Sequence, residues 1–425
     1  MRAAMTRLGS TLLERLLSIE DGRDGQRVAC GSGHLAEFVS HRDKGIDTVL
    51  GRVRVRRGYY HCRACQRGVV PRDDDLGVPG TSLSPGLRRM VARVAAVAPF
   101  AEAADLLADL AGIRLSVKRV ERSAEADGQA AAADLERASR AILDSRLAVL
   151  PPTPLPDKLY ITIDGTGVPV VAAAAADRAG KGDDGRARTR EVKLACLFTQ
   201  TKLDEHGHPV RDPDTSSYVH TFDPVEQFTT LVHAEARRRG GECIRQLVVL
   251  GDGAVWIWNL ATKILPEATQ IVDYYHAREH LHDLAKQLSP VLGADQPAWL
   301  AARLADLDQG DIETLVQATT ALPINDTDRD QVDTALDYFI KNAQRMRYAV
   351  FRDLGMFIGS GVVEAGCKSL VGQRLKLSGM RWNTPGATGI LTLRCHRESN
   401  RWDDIWRPNN QTRPTTNRKL TAAAA

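Results

Sequence analysis

Two aspartates, each following an apolar run and each followed by glycine, are the residues of this 425-residue sequence whose pattern first points to chemistry. They lie in the segments Ile161-Thr-Ile-Asp164-Gly165 and Leu247-Val-Val-Leu-Gly-Asp252-Gly253. An apolar strand delivers its last residue to the edge of a sheet, where ligands collect in open α/β folds. Glycine beside each acid leaves room for a phosphate or a metal to approach the backbone. One such segment is an ordinary turn, but two of them predict paired carboxylates that hold a divalent metal.

A third acid is Glu364, which lies in the glycine-rich segment Gly359-Ser-Gly-Val-Val-Glu364. This segment is typical of the entry into a helix, with Val363 and Cys367 directed toward the core. Spacing alone leaves two interpretations open. Glu364 either joins the two aspartates or forms a surface pair with Lys368, four residues further along the same helix.

The elements that must position these acids follow a proline-rich linker, Pro151-Pro-Thr-Pro-Leu-Pro156, which marks a domain boundary. Beyond it, strand and helix patterns alternate and predict an α/β fold, interrupted by one long helical stretch. The predicted organisation is an N-terminal helix at 1–25, a cysteine-containing β unit at 26–80, a helical domain at 83–150, an α/β domain at 157–289 and 351–400, a helical insertion at 290–350, and a basic tail at 401–425.

A second candidate metal site lies in the β unit. Cys62-Arg-Ala-Cys65 is a C-x₂-C pair of the kind found in structural zinc sites, and Cys30 with His34 would complete a tetrahedral set. His41 and His61 compete for the fourth position. The alternative is a short β unit with three unconnected thiols.

Two basic regions are candidates for contact with nucleic acid. The stretch 52–67 contains six arginines and no acid, with Arg54 and Arg56 among them, and suits a phosphate backbone as well as a solvated strand face. Residues 99–127 predict two helices joined at Gly112, an arrangement shared by helix-turn-helix domains and plain helical hairpins. In the first case the second helix, capped by Ser116, would present Lys118, Arg119 and Arg122 to DNA.

Composition sets outer limits on the function. A net charge of +4 is too small to prove a nucleic-acid partner. No apolar run approaches the roughly 20 residues that a membrane span needs, and charged residues interrupt the N-terminal apolar positions where a signal peptide would lie. Seven scattered cysteines argue against a disulfide framework and favour a reducing compartment, so a cytoplasmic location is expected.

Four segments in this order resemble one family of enzymes. They are Ile163-Asp-Gly-Thr-Gly-Val-Pro169, Gly251-Asp-Gly-Ala-Val-Trp-Ile-Trp-Asn259, Asp273-Tyr-Tyr-His276, and Gly359-Ser-Gly-Val-Val-Glu364 with its continuation Gly379-Met-Arg-Trp382. Together they are similar to the bacterial insertion-sequence transposases of the Kra group, relatives of the Mutator transposases. The resemblance extends from the Cys62/Cys65 region to Trp406.

The resemblance implies a ribonuclease-H-like mixed sheet with an all-helical insertion, preceded by a zinc-ribbon-like unit and a helix-turn-helix-like domain. It also implies an Asp-Asp-Glu triad of Asp164, Asp252 and Glu364 on Mg²⁺ or Mn²⁺, with His276 nearby orienting a phosphate or Asp273. The expected partners are transposon terminal repeats, target DNA and further copies of the chain. Further residues expected to contact DNA are Lys368, Arg374, Arg381 and Trp382. A nuclease without strand transfer and a non-catalytic DNA-binding protein are the alternatives.

Overall fold

The structure is a computed structural model that describes residues 2–19, 22, 24–175 and 188–407. Most of the predicted basic tail, from residue 408 onward, lies outside the described residues. Its first part forms one 3₁₀ turn, Trp402–Trp406, which buries Trp402 against the core. Among the helices of these described ranges, none is both long enough and apolar enough to cross a membrane.

The N-terminal unit is a four-stranded antiparallel sheet with a helix on one face. The helix is α1 (Arg2–Leu17), and the strands follow in sheet order as β1 (Arg27–Ala29), β2 (Leu35–Thr48), β3 (Gly51–Cys62) and β4 (Arg67–Val69). Period-two alternation in β3 buries Val53 and Val55 beneath α1 and leaves Arg52, Arg54 and Arg56 exposed on the other face. The arginine-rich stretch is therefore one face of a strand.

The helical domain begins with α2 (Pro71–Asp75) and continues through α3 (Pro85–Ala95), α4 (Phe100–Leu106) with a π-helical extension at Leu107–Ala111, and α5 (Val117–Leu143). Gly112 ends the extension at φ 69°, so the predicted turn lies where a glycine is needed. Ser116 occupies the N-cap position of α5 without a side-chain capping bond. At 27 residues, α5 is much longer than the predicted second helix of the pair.

A mixed five-stranded sheet forms the centre of the chain. Its strands are β5 (Lys158–Pro169), β6 (Thr189–Gln200), β9 (Ser217–Thr221), β10 (Gln246–Gly251) and β11 (Thr269–Val272), with a small hairpin, β7 (Lys202–Leu203) and β8 (Pro209–Val210), at the side. The spatial order is β11-β10-β5-β6-β9. The first three strands in chain order pair antiparallel, and the last two run parallel to β5.

Helices cover this sheet and continue into the insertion. After the strands come α6 (Val225–Arg238), α7 (Val255–Ile264) and α8 (Tyr274–Gln287). The predicted insertion at 290–350 is helical. It contains α9 (Ser289–Leu292), α10 (Gln296–Gln309), α11 (Ile312–Thr320), α12 (Asp326–Asn342) and α13 (Tyr348–Asp353). The buried Tyr348 hydroxyl donates to the Val272 carbonyl at 3.1 Å, so the insertion packs at the β11 edge.

The chain returns to the sheet through α14 (Gly361–Gly366), a π-helical turn at Cys367–Gly372, α15 (Gln373–Leu375) and α16 (Thr384–Glu398). The last of these crosses α5 where Gly128 faces Gly389. A Cβ on Gly128 would overlap the Gly389 carbonyl. Two glycines thus permit the close approach that fixes the helical domain against the sheet domain.

Replacing Gly128 with alanine tests this contact. Backbone atoms cannot move aside as a flexible side chain can, so forcing the helices apart should cost about 1–3 kcal/mol. That loss outweighs the ~1 kcal/mol by which alanine is favoured over glycine in a helix. Calorimetry should therefore show a lower unfolding midpoint. The matched control is Gly86→Ala in α3, where the added Cβ would meet only Val49, at 3.9 Å. Equal stability of the two variants would contradict the close packing.

Candidate functional site

Three aspartates share one row at the carboxyl ends of adjacent parallel strands. The register of β10 against β5 places Asp252 level with Asp164, and the register of β10 against β11 places Asp273 level with Asp252. Residues in one row of a parallel sheet direct their side chains to the same face. The Asp164 carboxylate accepts the N–H of Gly165 at 2.7 Å, and the Asp252 carboxylate accepts the N–H of Ala254 at 2.9 Å.

Asp273 differs from the other two because it is fully buried. Its carboxylate caps α8 by accepting the N–H of His276 at 2.9 Å, and its second oxygen accepts the N–H of Ser360. Buried carboxylates are stable only when donors satisfy them, and here backbone donors do so. Asp273 therefore joins the end of β11 to the residue that precedes α14.

Glu364 lies on the helix that this link holds in place. The Ser360 hydroxyl donates to the Glu364 carboxylate at 3.3 Å. Cys367 lies one turn beyond Glu364. The pKa of its thiol is raised chiefly by burial and next by the neighbouring Asp164 carboxylate. Residues three apart lie on the same helix face, so Glu364 is on the side of α14 that faces Asp164. The structure thus brings the helix of the predicted third acid to the strand of the first.

The three predicted acids, Asp164, Asp252 and Glu364, are half-buried and lack cationic partners. Among the described residues, no Lys, Arg or His nitrogen lies within 4.0 Å of their carboxylate oxygens. They are also not drawn together, since the only described set of three or more possible metal ligands with ligand atoms within 4.8 Å of one another lies elsewhere.

A cavity of about 360 Å³ opens beside Asp252. Its lining consists of Asp252, Gly253, Ala254, His276, Glu279, His280, Asp283 and Tyr338. The His276 ring contacts Glu279 at 3.3 Å. The His280 ring stacks on Tyr338 with centroids 3.9 Å apart, and burial, then the nearby His276, lowers the His280 pKa. The cavity beside Asp252 is therefore lined by carboxylates and by two imidazole rings, and the lowered pKa of His280 favours the neutral form of its ring.

Cys367 is buried, as the sequence predicts, but its contact with Asp164 was not predicted, and neither were the roles of Ser360, His280 and Tyr338. The Tyr338 hydroxyl donates to the Asp252 carbonyl at 3.0 Å, and its ring packs on Gly253, whose φ is 103°. It reaches the site from α12 in the insertion, so no local signal marks it. His280 did leave a signal, because it follows His276 by four residues on one helix face.

The Cys/His cluster is the set whose ligand atoms do converge. Cys30, His34, Cys62 and Cys65 have their ligand atoms within 4.8 Å of one another, which confirms the predicted grouping. The Cys30 and Cys65 sulfurs are 3.7 Å apart, and the Cys65 sulfur lies 3.2 Å from the His34 Nδ1. Thiolates about 2.3 Å from one zinc in a tetrahedron are separated by about 3.8 Å. These four residues could hold a zinc ion, and His41 and His61 are not part of the set.

Backbone donation prepares this cluster for a metal. A hydrogen bond from the Ser32 N–H is the main cause that lowers the pKa of the Cys30 thiol to about 6. The hydrogen bond between the Cys65 and Cys30 side chains is the main cause that raises the pKa of the Cys65 thiol. A thiol whose pKa is lowered loses its proton more readily, and the thiolate is the form that binds metal.

The predicted DNA contacts on α5 and β3 have different environments. Lys118 is exposed and pairs with Glu121 at 2.7 Å, while Arg119 pairs with Asp47 at 2.5 Å and so joins α5 to β2. Arg122 is exposed, as are the β3 residues Arg54 and Arg56. Arg119 therefore serves packing, and the others face solvent.

Of the four candidates near the C-terminal motif, two are buried. Lys368 and Arg381 are exposed. Arg374 has no exposed surface and donates to the Ala95 carbonyl at 3.0 Å, and burial lowers its pKa to about 10. Trp382 is also buried, packs near the Arg374 guanidinium, and donates to the Leu375 carbonyl at 3.0 Å. The expectation that these two side chains contact DNA is not retained, because both are occupied within the core.

The chain was compared with family models, curated proteins and solved structures. No protein-family model and no curated protein matches the sequence. Among solved structures, the chain is similar to a chain of the Drosophila P element transposase strand transfer complex, with 11% identity, coverage of 79% of this chain and 82% of the other, and a TM-score of 0.25. A TM-score of that size does not establish a shared fold.

Metal content tests the Cys/His cluster. Replacing Cys62 with serine removes one thiolate from the four-ligand set, so bound zinc should fall from about one ion per chain to nearly none. Elemental analysis of the purified proteins measures this. Cys243→Ser is the matched control, because Cys243 is an exposed cysteine outside the cluster, and it should retain zinc. Zinc absent from the unaltered protein, or equal in both variants, would rule out the site.

Proposed function

We propose that this chain is a transposase that cuts DNA at the ends of a mobile element and joins them to a target, using Asp164, Asp252 and Glu364. The supporting observation is their placement. Two acids stand level on adjacent parallel strands, and the helix of the third is bound at its start to Asp273 and packs on Asp164 through Cys367. Acids that lie beside one another along the carboxyl edge of a sheet suit chemistry on a phosphate.

The strand order supports a ribonuclease-H-like domain. Numbered within the sheet, the strands are ordered 3-2-1-4-5, with three antiparallel strands followed by two parallel ones. In such a domain the first and fourth strands are neighbours, which makes β5 and β10 the pair that carries acids. The insertion between α8 and α14 then accounts for the long separation in sequence between the second acid and the third.

The donor chemistry fits Mg²⁺ or Mn²⁺ in this cleft. Hard divalent cations bind carboxylate oxygens, and the three acids are half-buried without cationic neighbours in the described structure. Asp164, Asp252 and Glu364 would hold the metal. When bound, it would neutralise charge that develops on the transferring phosphate and activate the attacking oxygen.

Residues around the acids position them. Asp273 fixes the start of the Glu364 helix, and Tyr338 holds the backbone of Asp252 through its carbonyl. Preorganised ligands avoid the cost of ordering them during the reaction. We assign His276 to orienting a scissile phosphate, because it lines the cavity beside Asp252.

The exposed basic face supplies a surface for DNA. Arg52, Arg54 and Arg56 alternate along one face of β3, and Arg122 is exposed on α5. Cationic side chains on one face gain affinity by releasing counter-ions from the phosphate backbone. Lys368 and Arg381 are further solvent-facing candidates, close in sequence to Glu364 and to Trp382.

Replacing Asp252 with asparagine tests the triad. Asparagine retains the oxygen that accepts the Ala254 N–H, so the fold should survive, but it removes one charged metal ligand. We expect cleavage to slow by about a thousandfold or more, because several kcal/mol of transition-state stabilisation are lost. The assay follows Mg²⁺-dependent nicking and joining of DNA that carries the element ends.

The matched control is Asp337→Asn, an exposed carboxylate beside Lys341, which should leave the rate unchanged. Near wild-type cleavage by Asp252→Asn would end the triad assignment. The unaltered protein also distinguishes the alternatives: cutting without joining indicates a nuclease, and binding without cutting indicates a non-catalytic DNA-binding protein.

A second variant tests the DNA surface. Arg54→Ala/Arg56→Ala should weaken binding to element ends and reduce the slope of log affinity against log salt by about 1.8, since each phosphate contact contributes about 0.9. Gel-shift titrations over a salt series measure both. Arg137→Ala/Arg140→Ala removes the same charge from exposed positions on α5 and should change little. Identical salt slopes for the two double variants would exclude β3 as the DNA surface.

A further inference from the structure

The helix α1 presents a second apolar face that no other described part of the chain covers. Met5, Leu8, Leu12 and Leu16 are between 56 and 65% exposed, and Ile19, two residues past the helix end, is 78% exposed. At 100° per residue the four helical positions form a stripe about 80° wide that contains no charged residue, and Ile19 follows just beyond the helix end. Scattered exposed leucines are ordinary, but an aligned apolar set of this kind is typical of an interaction surface.

The opposite side of α1 is fixed to the β unit, so the stripe has a defined orientation. Leu13 and Leu17 pack with the buried residues of β2 and β3. The Glu14 carboxylate accepts the N–H of Arg54 at 3.0 Å, and Arg72 donates to the Leu17 carbonyl at 2.5 Å. Side chains on both faces of one helix are apolar, and within the described residues only one of these faces is covered.

We infer that this stripe is the contact through which two copies of the chain associate, with the two α1 helices antiparallel and Leu12 at the two-fold axis. The spacing of the stripe is symmetric about Leu12. Leu8 and Leu16 lie four residues to either side, and Met5 and Ile19 lie three residues beyond them. An isologous dimer requires a self-complementary surface, and this arrangement matches each position to its counterpart on the second copy.

The exposed area suits a dimer. Each of the five residues is more than half exposed, so two facing stripes would remove ten exposed apolar side chains from water at once. Leu50, 43% exposed at the β2–β3 turn, packs beside Gly9 and extends the patch.

Substituting glutamate on the stripe tests the contact. Leu12→Glu/Leu16→Glu would place four carboxylates in each apolar interface, so the dimer dissociation constant should rise by about a hundredfold or more. Sedimentation velocity of the full chain at micromolar concentration should show a dimer that becomes a monomer. Leu12→Met/Leu16→Met keeps the surface apolar and should remain dimeric, as should Leu150→Glu/Leu155→Glu, which alters two exposed leucines of the linker.

Cysteine cross-linking tests the orientation. In a Cys243→Ser background, Leu12→Cys should cross-link to itself with a short bis-maleimide, because the residue meets its own copy at the axis. Leu8→Cys alone should cross-link poorly, and a mixture of Leu8→Cys with Leu16→Cys should react efficiently.

Three results would overturn the inference: a monomeric unaltered protein, a glutamate variant that stays dimeric, or Leu8→Cys reacting better than Leu12→Cys. A monomer that co-sediments with phosphatidylglycerol vesicles, and loses that binding in the glutamate variant, would assign the stripe to a lipid surface instead.

Discussion

The buried carboxylate of Asp273 is the contact on which the arrangement of the candidate site depends. It terminates β11 in the row of acids, caps α8 and receives the N–H of Ser360, which arrives after the whole helical insertion. Without that bond, a buried charge would lose a donor and the start of α14 would lose its anchor. The position of Glu364 therefore follows from a residue that is not itself a proposed metal ligand.

Buried arginines fasten the other side of the molecule. Arg374 donates to the Ala95 carbonyl, and Arg394 donates to the carbonyls of Ala96, Ser369 and Leu370. These cations are satisfied mainly by peptide oxygens at the end of α3 and in the π-helical turn. Removing Arg374 would take this donor from the Ala95 carbonyl, and removing Arg394 would take one from three carbonyls, so the two arginines tie the helical domain to the segment after Glu364.

The two candidate metal sites differ in what the protein must supply. The Cys/His cluster has soft ligands already gathered, and its surrounding apolar core is small, with Cys30, Ala36, Tyr60 and Cys62 as its buried members. A unit of this size would gain stability from a metal bound at the cluster. The carboxylates of the proposed triad border a much larger apolar core, and they offer the oxygen ligands that hard cations prefer.

Features that depend on local pattern could be predicted from the sequence. The apolar runs before Asp164 and Asp252 form strands, the predicted insertion at 290–350 is helical, and the C-x₂-C pair supplies half of the Cys/His cluster. Each of these follows from residues close together in the chain, where periodicity and turn chemistry act. The grouping of the N-terminal ligands was accessible because few candidates compete in so short a unit.

Which polar side chains are free to contact a ligand depends on the tertiary structure and could not be predicted from the sequence. Nothing in the sequence distinguishes Arg374 from a surface arginine. In the structure it is buried and donates to the Ala95 carbonyl of α3, almost 280 residues away in the chain. Tyr338 acts on Asp252 from inside the insertion, and Asp273 is buried because α14 closes over it. Burial is a property of everything that packs around a residue, and the residues that do so here are distant in the chain, so no local pattern records it.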